Sequence, residues 1–360
     1  MQFATEVGVS HARGTTAVAT RCQRLVRECR SRVAELFGAA SPDDVIYTAG
    51  GTDGLNLVIR GLLRAGDRVV ASQVDHNAVL RPLYASPGEE VIVPATRQGM
   101  IDIDAWADAC RLRPPLACIN HASNVTGSIQ PVAELAAIAK RSGACVLLDA
   151  CQTAGTLDCD WSALGVDWIA TGVHKGLLGP LGLGLLVRMT ADAPLPEPLR
   201  YGGTGVRSES PEQPSELPDR LEAGSLNTPA IAGLLAALDE LPKHATPNLA
   251  DLDAALDVDG IEVFSPGEPR VPTRAFAMRG ISAGDAAAVF ESSFGVECRA
   301  GLHCAPLMHE ALGSPEGGLV RVSFGRTSTD ADVATVSAAV RELHSQLGPL
   351  TRPATTAVGS

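Results

Sequence analysis

The sequence predicts an α/β fold, with a large domain built on a mostly parallel seven-stranded sheet and a smaller α+β domain toward the C-terminal end. Three features of the 360-residue chain carry that prediction. Short apolar runs alternate with helical stretches from residue 45 to residue 187, a Pro/Gly-rich stretch over 193–218 breaks the rhythm, and a shorter mixed set of elements follows. Hydrophobic residues make up 45% of the chain and charged residues 19%, so there is apolar material for a large core and no compositional sign of disorder.

The first helix is expected from residue 13 to about residue 37, where Val18, Leu25, Val26, Val33 and Leu36 recur at helical spacing before Gly38 and Ser41-Pro42 stop it. Seven runs, at 45–48, 68–72, 90–93, 116–120, 145–149, 168–171 and 184–187, have the short, continuous apolar character of strands buried on both faces. Helical stretches at 52–63, 77–85 and 131–142 separate several of them. The stretch 193–218 reads as an irregular but ordered loop. Beyond it, helices are expected over 229–241, 283–294 and 330–347, and strands over 261–265, 273–278, 296–299 and 319–323. The expected division is a large domain over 1–240, a small domain over 241–348 and a flexible tail over 349–360.

Lys plus Arg number 29 against 41 for Asp plus Glu, a net charge of −12 that offers no basic field to nucleic acid or to an anionic membrane. Glu6 and Arg13 interrupt the first twenty residues and no long apolar stretch follows, so neither a signal peptide nor a membrane span is expected. The nine Cys are an odd number without a Cys-x-x-Cys pair, which reads as free thiols in a reducing cytoplasm.

In an open parallel sheet, ligands sit beyond the carboxyl ends of the strands. Asp149 ends one expected strand and Lys175 follows the next. Either alone reads most simply as an ion-pair partner or a solvated terminus. Together they point to pyridoxal 5'-phosphate (PLP), which needs a lysine amine to bond its aldehyde and an anion to keep its ring nitrogen protonated.

The segments Asp149-Ala150-Cys151-Gln152 and His174-Lys175-Gly176-Leu177-Leu178-Gly179-Pro180 resemble the class V aminotransferase family of fold-type I PLP-dependent transferases, in particular its cysteine desulfurase and selenocysteine lyase branch. The resemblance runs from about Gly14 to Leu347, with the motifs in the family's order. It implies that Gly51 and Thr52, in a strand-to-helix turn, hold the cofactor phosphate with His174. It implies that His76 stacks on the ring and shuttles protons, that Asn124 lies near cofactor and substrate, and that Gln152 donates to the ring oxygen. Asp149 would partner the ring nitrogen and Lys175 would bond the cofactor. Ser225, within Arg220–Pro229, would reach the phosphate of a neighbouring subunit, which implies a homodimer with shared active sites.

Cys298–Leu307 resembles the desulfurase cysteine loop, with Cys304 as nucleophile and Arg299 and His303 as neighbours able to favour its thiolate. Other readings of that loop are a buried structural Cys, or a metal site on His303, Cys304 and His309, although no second ligand pair of the kind zinc sites use is evident and no metal is expected. Arg321, between apolar neighbours, would bind the substrate carboxylate. The implied reaction converts L-cysteine to L-alanine, leaves a persulfide on Cys304 and passes the sulfur to an acceptor protein. Selenocysteine lyase, cysteine C–S lyase, aminotransferase and epimerase chemistries share this scaffold, as would a degenerate, non-catalytic relative. Two departures stand out: the first residues of the sequence, Met1-Gln2-Phe3, do not resemble the family's usual N-terminal segment, and the hydroxyl expected three positions before the lysine is replaced by Gly172, with Thr171 one position further back.

Overall fold

The computed structural model describes residues 16–241, 246–265 and 268–348. The expected tail and the chain before Thr16 lie outside them. Helix α1 (Ala17–Phe37) is capped by the Thr16 hydroxyl, which accepts from the Ala19 N–H, and it buries Val26, Cys29, Val33 and Phe37 along one face. The chain then alternates as expected through β1 (Val45–Thr48), α2 (Gly51–Leu62), β2 (Arg68–Ser72), α3 (Asn77–Tyr84) and β3 (Glu89–Val93). It continues through α4 (Ile103–Cys110), β4 (Leu116–Asn120), α5 (Val132–Arg141), β5 (Cys145–Asp149), β6 (Trp168–Gly172), β7 (Gly184–Arg188) and α6 (Thr228–Glu240).

The seven strands form one sheet in the order β1-β7-β6-β5-β4-β2-β3. All neighbours are parallel except β7, which runs antiparallel to both β6 and β1. Because β7 reverses twice, β1 points the same way as β6, so the turn after β1 opens on the same edge as the ends of β2, β4, β5 and β6. That edge gathers eight of the expected site residues: Gly51, Thr52, His76, Asn124, Asp149, Gln152, His174 and Lys175. Strands β4, β5 and β6 are buried over their whole length, as their continuous apolar runs require.

A buried ion pair fastens the edge from below. Glu222 accepts from the Tyr47 N–H and pairs with Arg30, whose guanidinium lies 4.5 Å from the centre of the Tyr47 ring. One carboxylate thus ties the loop before α6 to β1 and α1.

The second sheet contains β8 (Ile261–Val263), β9 (Thr273–Met278), β10 (Arg299–Gly301) and β11 (Leu319–Ser323), all antiparallel in the order β10-β11-β9-β8. Helices α7 (Ala250–Leu256), α8 (Ala283–Phe294) and α10 (Asp330–Leu347) share its core of Phe276, Phe290, Val320 and Val340. Helix α9 (Pro306–Leu312) follows the cysteine loop. The strand expected over 296–299 forms instead over 299–301. Gly295 adopts the left-handed conformation that ends α8, and the Val296 N–H donates back to the Phe290 carbonyl, so Val296 belongs to the helix cap. Among the described residues, no helix is long and apolar enough to cross a membrane.

Candidate active site

At the carboxyl edge of the large sheet, Gly51, Thr52, His76, Asn124, Asp149, Gln152, His174 and Lys175 line one cavity of about 190 Å³. An adjoining cavity of about 410 Å³ shares His76, Asn124, Gln152, His174 and Lys175 and adds Arg299 and Arg321 from the second sheet. The two sheets therefore meet across the cleft.

Each wall follows from local structure. Helix α2 starts at Gly50 with no side-chain cap, leaving its first N–H groups turned toward the cavity edge, where an anion is favoured. Gly51 is required there: a Cβ would lie 2.4 Å from the Cys151 Sγ and 3.0 Å from the Gly172 nitrogen. Asp149 ends β5 and holds the Cys151 N–H at 2.9 Å, while its strand neighbour Asn120 lies beside it across the ladder. His76 caps α3, its Nδ1 accepting from the Ala78 N–H at 2.9 Å. Burial, followed by smaller effects including Lys175, Arg299 and Arg321, outweighs Asp149 and lowers the His76 pKa. The ring is neutral with its proton on Nε2. Behind it, burial drives the Asp75 pKa up to about 7, and Asp75 Oδ2 accepts from the Ser72 N–H and hydroxyl.

The cysteine loop is clamped onto this wall. The Asn77 N–H donates to the Cys304 carbonyl at 2.7 Å, and Asn124 Nδ2 donates to the His303 carbonyl at 2.7 Å. Arg321 in turn donates to the Asn124 carbonyl at 2.8 Å, and an Arg299 terminal nitrogen lies 3.4 Å from the Cys304 Sγ. His303 and Cys304 both have positive φ, 53° and 59°, a conformation costly for side chains other than glycine and held here by those bonds.

His303 does not face the thiol as the sequence reading allowed. Its ring is buried, its Nε2 lies 3.3 Å from the Arg299 carbonyl, and its Nδ1 lies 3.3 Å from His309 Nε2, with His309 Nδ1 2.7 Å from the Ser314 hydroxyl. A carbonyl only accepts, so the chain has one polarity: Ser314 donates to His309, His309 to His303, and His303 to Arg299. Burial, aided by Arg321, drives the His303 pKa down to about 4, which keeps it neutral. The two imidazoles serve each other and do not converge on a metal with Cys304. The carbonyl that His303 holds belongs to the residue whose guanidinium meets the thiol.

Ser225 is exposed and outside the linings of both cavities. The Thr171 hydroxyl is buried against the Ala150 carbonyl, so it does not replace the side chain missing at Gly172. Sequence reasoning missed Asn120, Cys151 and the His309–Ser314 pair. Cys151 sits within a quoted motif, but its contact with Gly51 depends on two segments about a hundred residues apart.

The lining fits PLP. An uncapped helix N-terminus suits a phosphate, Asp149 suits a protonated ring nitrogen, and Lys175 supplies the amine. The Asn120 Oδ1, the Asn124 Oδ1 and the Arg321 Nε are buried without a hydrogen-bond partner, which leaves polar capacity for cofactor and substrate.

The profile of the family described as Aminotransferase class-V matches residues 1–336. The chain is 30% identical over 358 residues to a probable cysteine desulfurase of Methanothermobacter thermautotrophicus, covering 95% of this chain and 89% of that protein. It is 31% identical over 360 residues to a probable cysteine desulfurase of Halobacterium salinarum, covering 94% and 85%. Among solved structures, the apo cysteine desulfurase from Thermococcus onnurineus NA1 superposes with a TM-score of 0.87 at 25% identity, and the cysteine desulfurase CsdA (S-sulfonic acid) from Escherichia coli with 0.83 at 27%, each covering 96% of this chain and 90% of the other. The chain belongs to the class V aminotransferase family of PLP-dependent enzymes.

Proposed function

We propose that this protein is a cysteine desulfurase that converts L-cysteine to L-alanine and carries the sulfur as a persulfide on Cys304. The observation that carries the reading is the clamp: Asn124, in the lining of the Lys175 cavity, and Asn77, next to His76 of that lining, each donate a hydrogen bond that holds the Cys304 loop, and Arg299 touches its sulfur. The names of the similar proteins support the same activity.

When bound, the cofactor supplies an electron sink. Arg321 holds the substrate carboxylate, a task suited to its planar donors, and Asn124 fixes the geometry through its carbonyl contact with Arg321. Lys175 removes the Cα proton. The Cys304 thiolate then takes the substrate sulfur: an S–S bond forms as the carbon–sulfur bond breaks. His76, neutral with Nε2–H available, moves a proton at the cleft. Gly51, Thr52 and His174 would receive the phosphate, Gln152 would donate to the ring oxygen, and Asp149 would partner the ring nitrogen. The large domain (1–240) thus holds the cofactor and the small domain (241–348) delivers Cys304 and Arg321.

We also infer a homodimer in which Ser225 reaches the partner's phosphate. Ser225 is exposed, and Asn227 Nδ2, 3.4 Å from the Gly182 carbonyl, sets its segment beside the strongly exposed Leu181, an apolar side chain that a partner would cover.

The test is an absorbance spectrum of the purified protein followed by L-cysteine turnover with a reductant. A visible-edge band lost in Lys175→Ala is expected, with equal alanine and sulfide, and Cys304→Ala should lower both by about a hundredfold or more. Alanine formation unchanged in Cys304→Ala, or release of pyruvate, would overturn the desulfurase reading in favour of another chemistry on this scaffold.

A further inference from the structure

Neither cavity lined by Lys175 includes Cys304. Cys304 instead lines a third cavity, of about 360 Å³, between α2 and α3, together with Thr52, Asn77, Arg60 and Arg81. The two helices follow β1 and β2, which point the same way, so their N-termini meet at the carboxyl edge of the sheet, where the Asn77 N–H holds the Cys304 carbonyl. From there the groove runs down the helices. Arg81 is four residues past Asn77 and Arg60 eight past Thr52, which at 1.5 Å per residue puts the guanidinium-bearing positions about 6 Å and about 12 Å from the thiol end.

The lining contains no carboxylate, and neither Arg60 nor Arg81 has an ion-pair partner among the described residues. Two exposed cations without an ion-pair partner in the same groove as the Cys304 thiol stand out in a chain of net charge −12. A free small thiol would not span that distance, whereas an extended chain covers it in about two to four residues.

We propose that this groove receives the sulfur acceptor as an extended protein segment whose cysteine is flanked, two to four residues away, by carboxylates that pair with Arg60 and Arg81. The identity of the transferred sulfur rests on the desulfurase reading. The acceptor thiolate attacks the outer sulfur of the Cys304 persulfide, forming an S–S bond on the acceptor. The bond to Cys304 breaks, Cys304 leaves as thiolate, and the acceptor's thiol proton has gone to solvent, with no net oxidation.

Two nine-residue peptides with one central Cys, carrying Asp or Lys two and four residues away on each side so that either chain direction presents both charges to the groove, provide the probe. In one experiment they accept sulfur from the PLP-loaded enzyme during L-cysteine turnover, read by mass spectrometry. In the other they displace thionitrobenzoate from a mixed disulfide preformed on Cys304, with Cys304→Ser subtracting the remaining thiols. Dividing each displacement rate by that peptide's rate with a small aromatic disulfide in solution removes its intrinsic nucleophilicity.

The Asp peptide is expected to react about threefold to tenfold faster than the Lys peptide at low salt, the range for two exposed ion pairs, and the ratio should shrink with added salt. The double variant Arg60→Glu, Arg81→Glu should remove or reverse it while turnover with 2-mercaptoethanol stays unchanged. Equal rates for the two peptides in the displacement experiment, or a preference that survives the double variant, would overturn the groove assignment. Displacement that follows the charge while no persulfide forms during turnover would instead overturn the desulfurase reading and leave the groove intact.

Discussion

Arg321 carries two demands at once: one terminal nitrogen donates to the Asn124 carbonyl, and its Nε is buried without a partner. Burial lowers its pKa to about 10, so it stays charged at neutral pH. Arg321→Lys keeps the charge and loses the planar pair of donors. We expect KM for L-cysteine to rise about tenfold to a hundredfold with a smaller change in kcat, measured by alanine release. A fall in kcat alone would argue against carboxylate binding. Asp75 gives a second prediction, in stability. Burial raises its native pKa to about 7, against about 3.9 in the unfolded chain, so the folded state binds more protons between those values. Its contribution is present below pH 4 and lost as pH rises through 7. Relative to Asp75→Asn, the wild type should therefore lose roughly 2–3 kcal/mol between pH 5 and pH 8 in urea titrations. Parallel pH profiles for the two proteins would refute it.

At the scale of elements, the strands and most of the helices were legible, the eight-residue α3 among them, and three other short helices were not. The seven strands of the large sheet matched their apolar runs, whereas α4, α7 and α9, of seven or eight residues, were not read from the sequence. Helices so short depend on tertiary contacts for their stability. Trp106 of α4 shows this, being buried with its indole N–H donating to the Leu135 carbonyl at the far side of a 29-residue separation. The join of β1 to α2 depends on a close approach that no local pattern marks. Gly51→Ala would press a Cβ into Cys151 and toward the backbone of Gly172. It should cost about 1–3 kcal/mol in thermal or urea unfolding and weaken cofactor retention, and adding Cys151→Ala should restore part of both, because the sulfur is the nearer obstacle. No recovery in the double variant would place the damage elsewhere.

For the whole molecule, the inferred sharing of active sites can be tested by complementation. If Ser225 serves the partner's site, a heterodimer of Lys175→Ala and Ser225→Ala chains contains one doubly damaged site and one intact site. Mixing the two variants under exchange conditions should then raise turnover above the sum of the separate proteins. If Ser225 acts on its own chain, every site keeps one lesion, and if it does not act at all, the Ser225→Ala protein is active by itself; in either case mixing adds nothing. The buried Arg30–Glu222 pair anchors this segment, and its partners lie 192 residues apart. A sequence reading had no means to join them.

The sequence alone determined the α/β alternation, because buried strands and amphipathic helices write their periods into local composition. It also supplied the residues around the cleft: Asp149 and Lys175 by their positions at strand ends, and His76, Asn124, Cys304 and Arg321 through the family resemblance. Only the tertiary structure decided what those residues touch. It turned His303 away from the thiol into a one-directional hydrogen-bond chain ending at the Arg299 carbonyl, buried Thr171 against the sheet, and opened Cys304 onto a groove walled by α2 and α3. The physical reason is that a side chain's hydrogen-bond partners and burial are set by segments distant in sequence, and a motif records residue types without recording which of them will face one another.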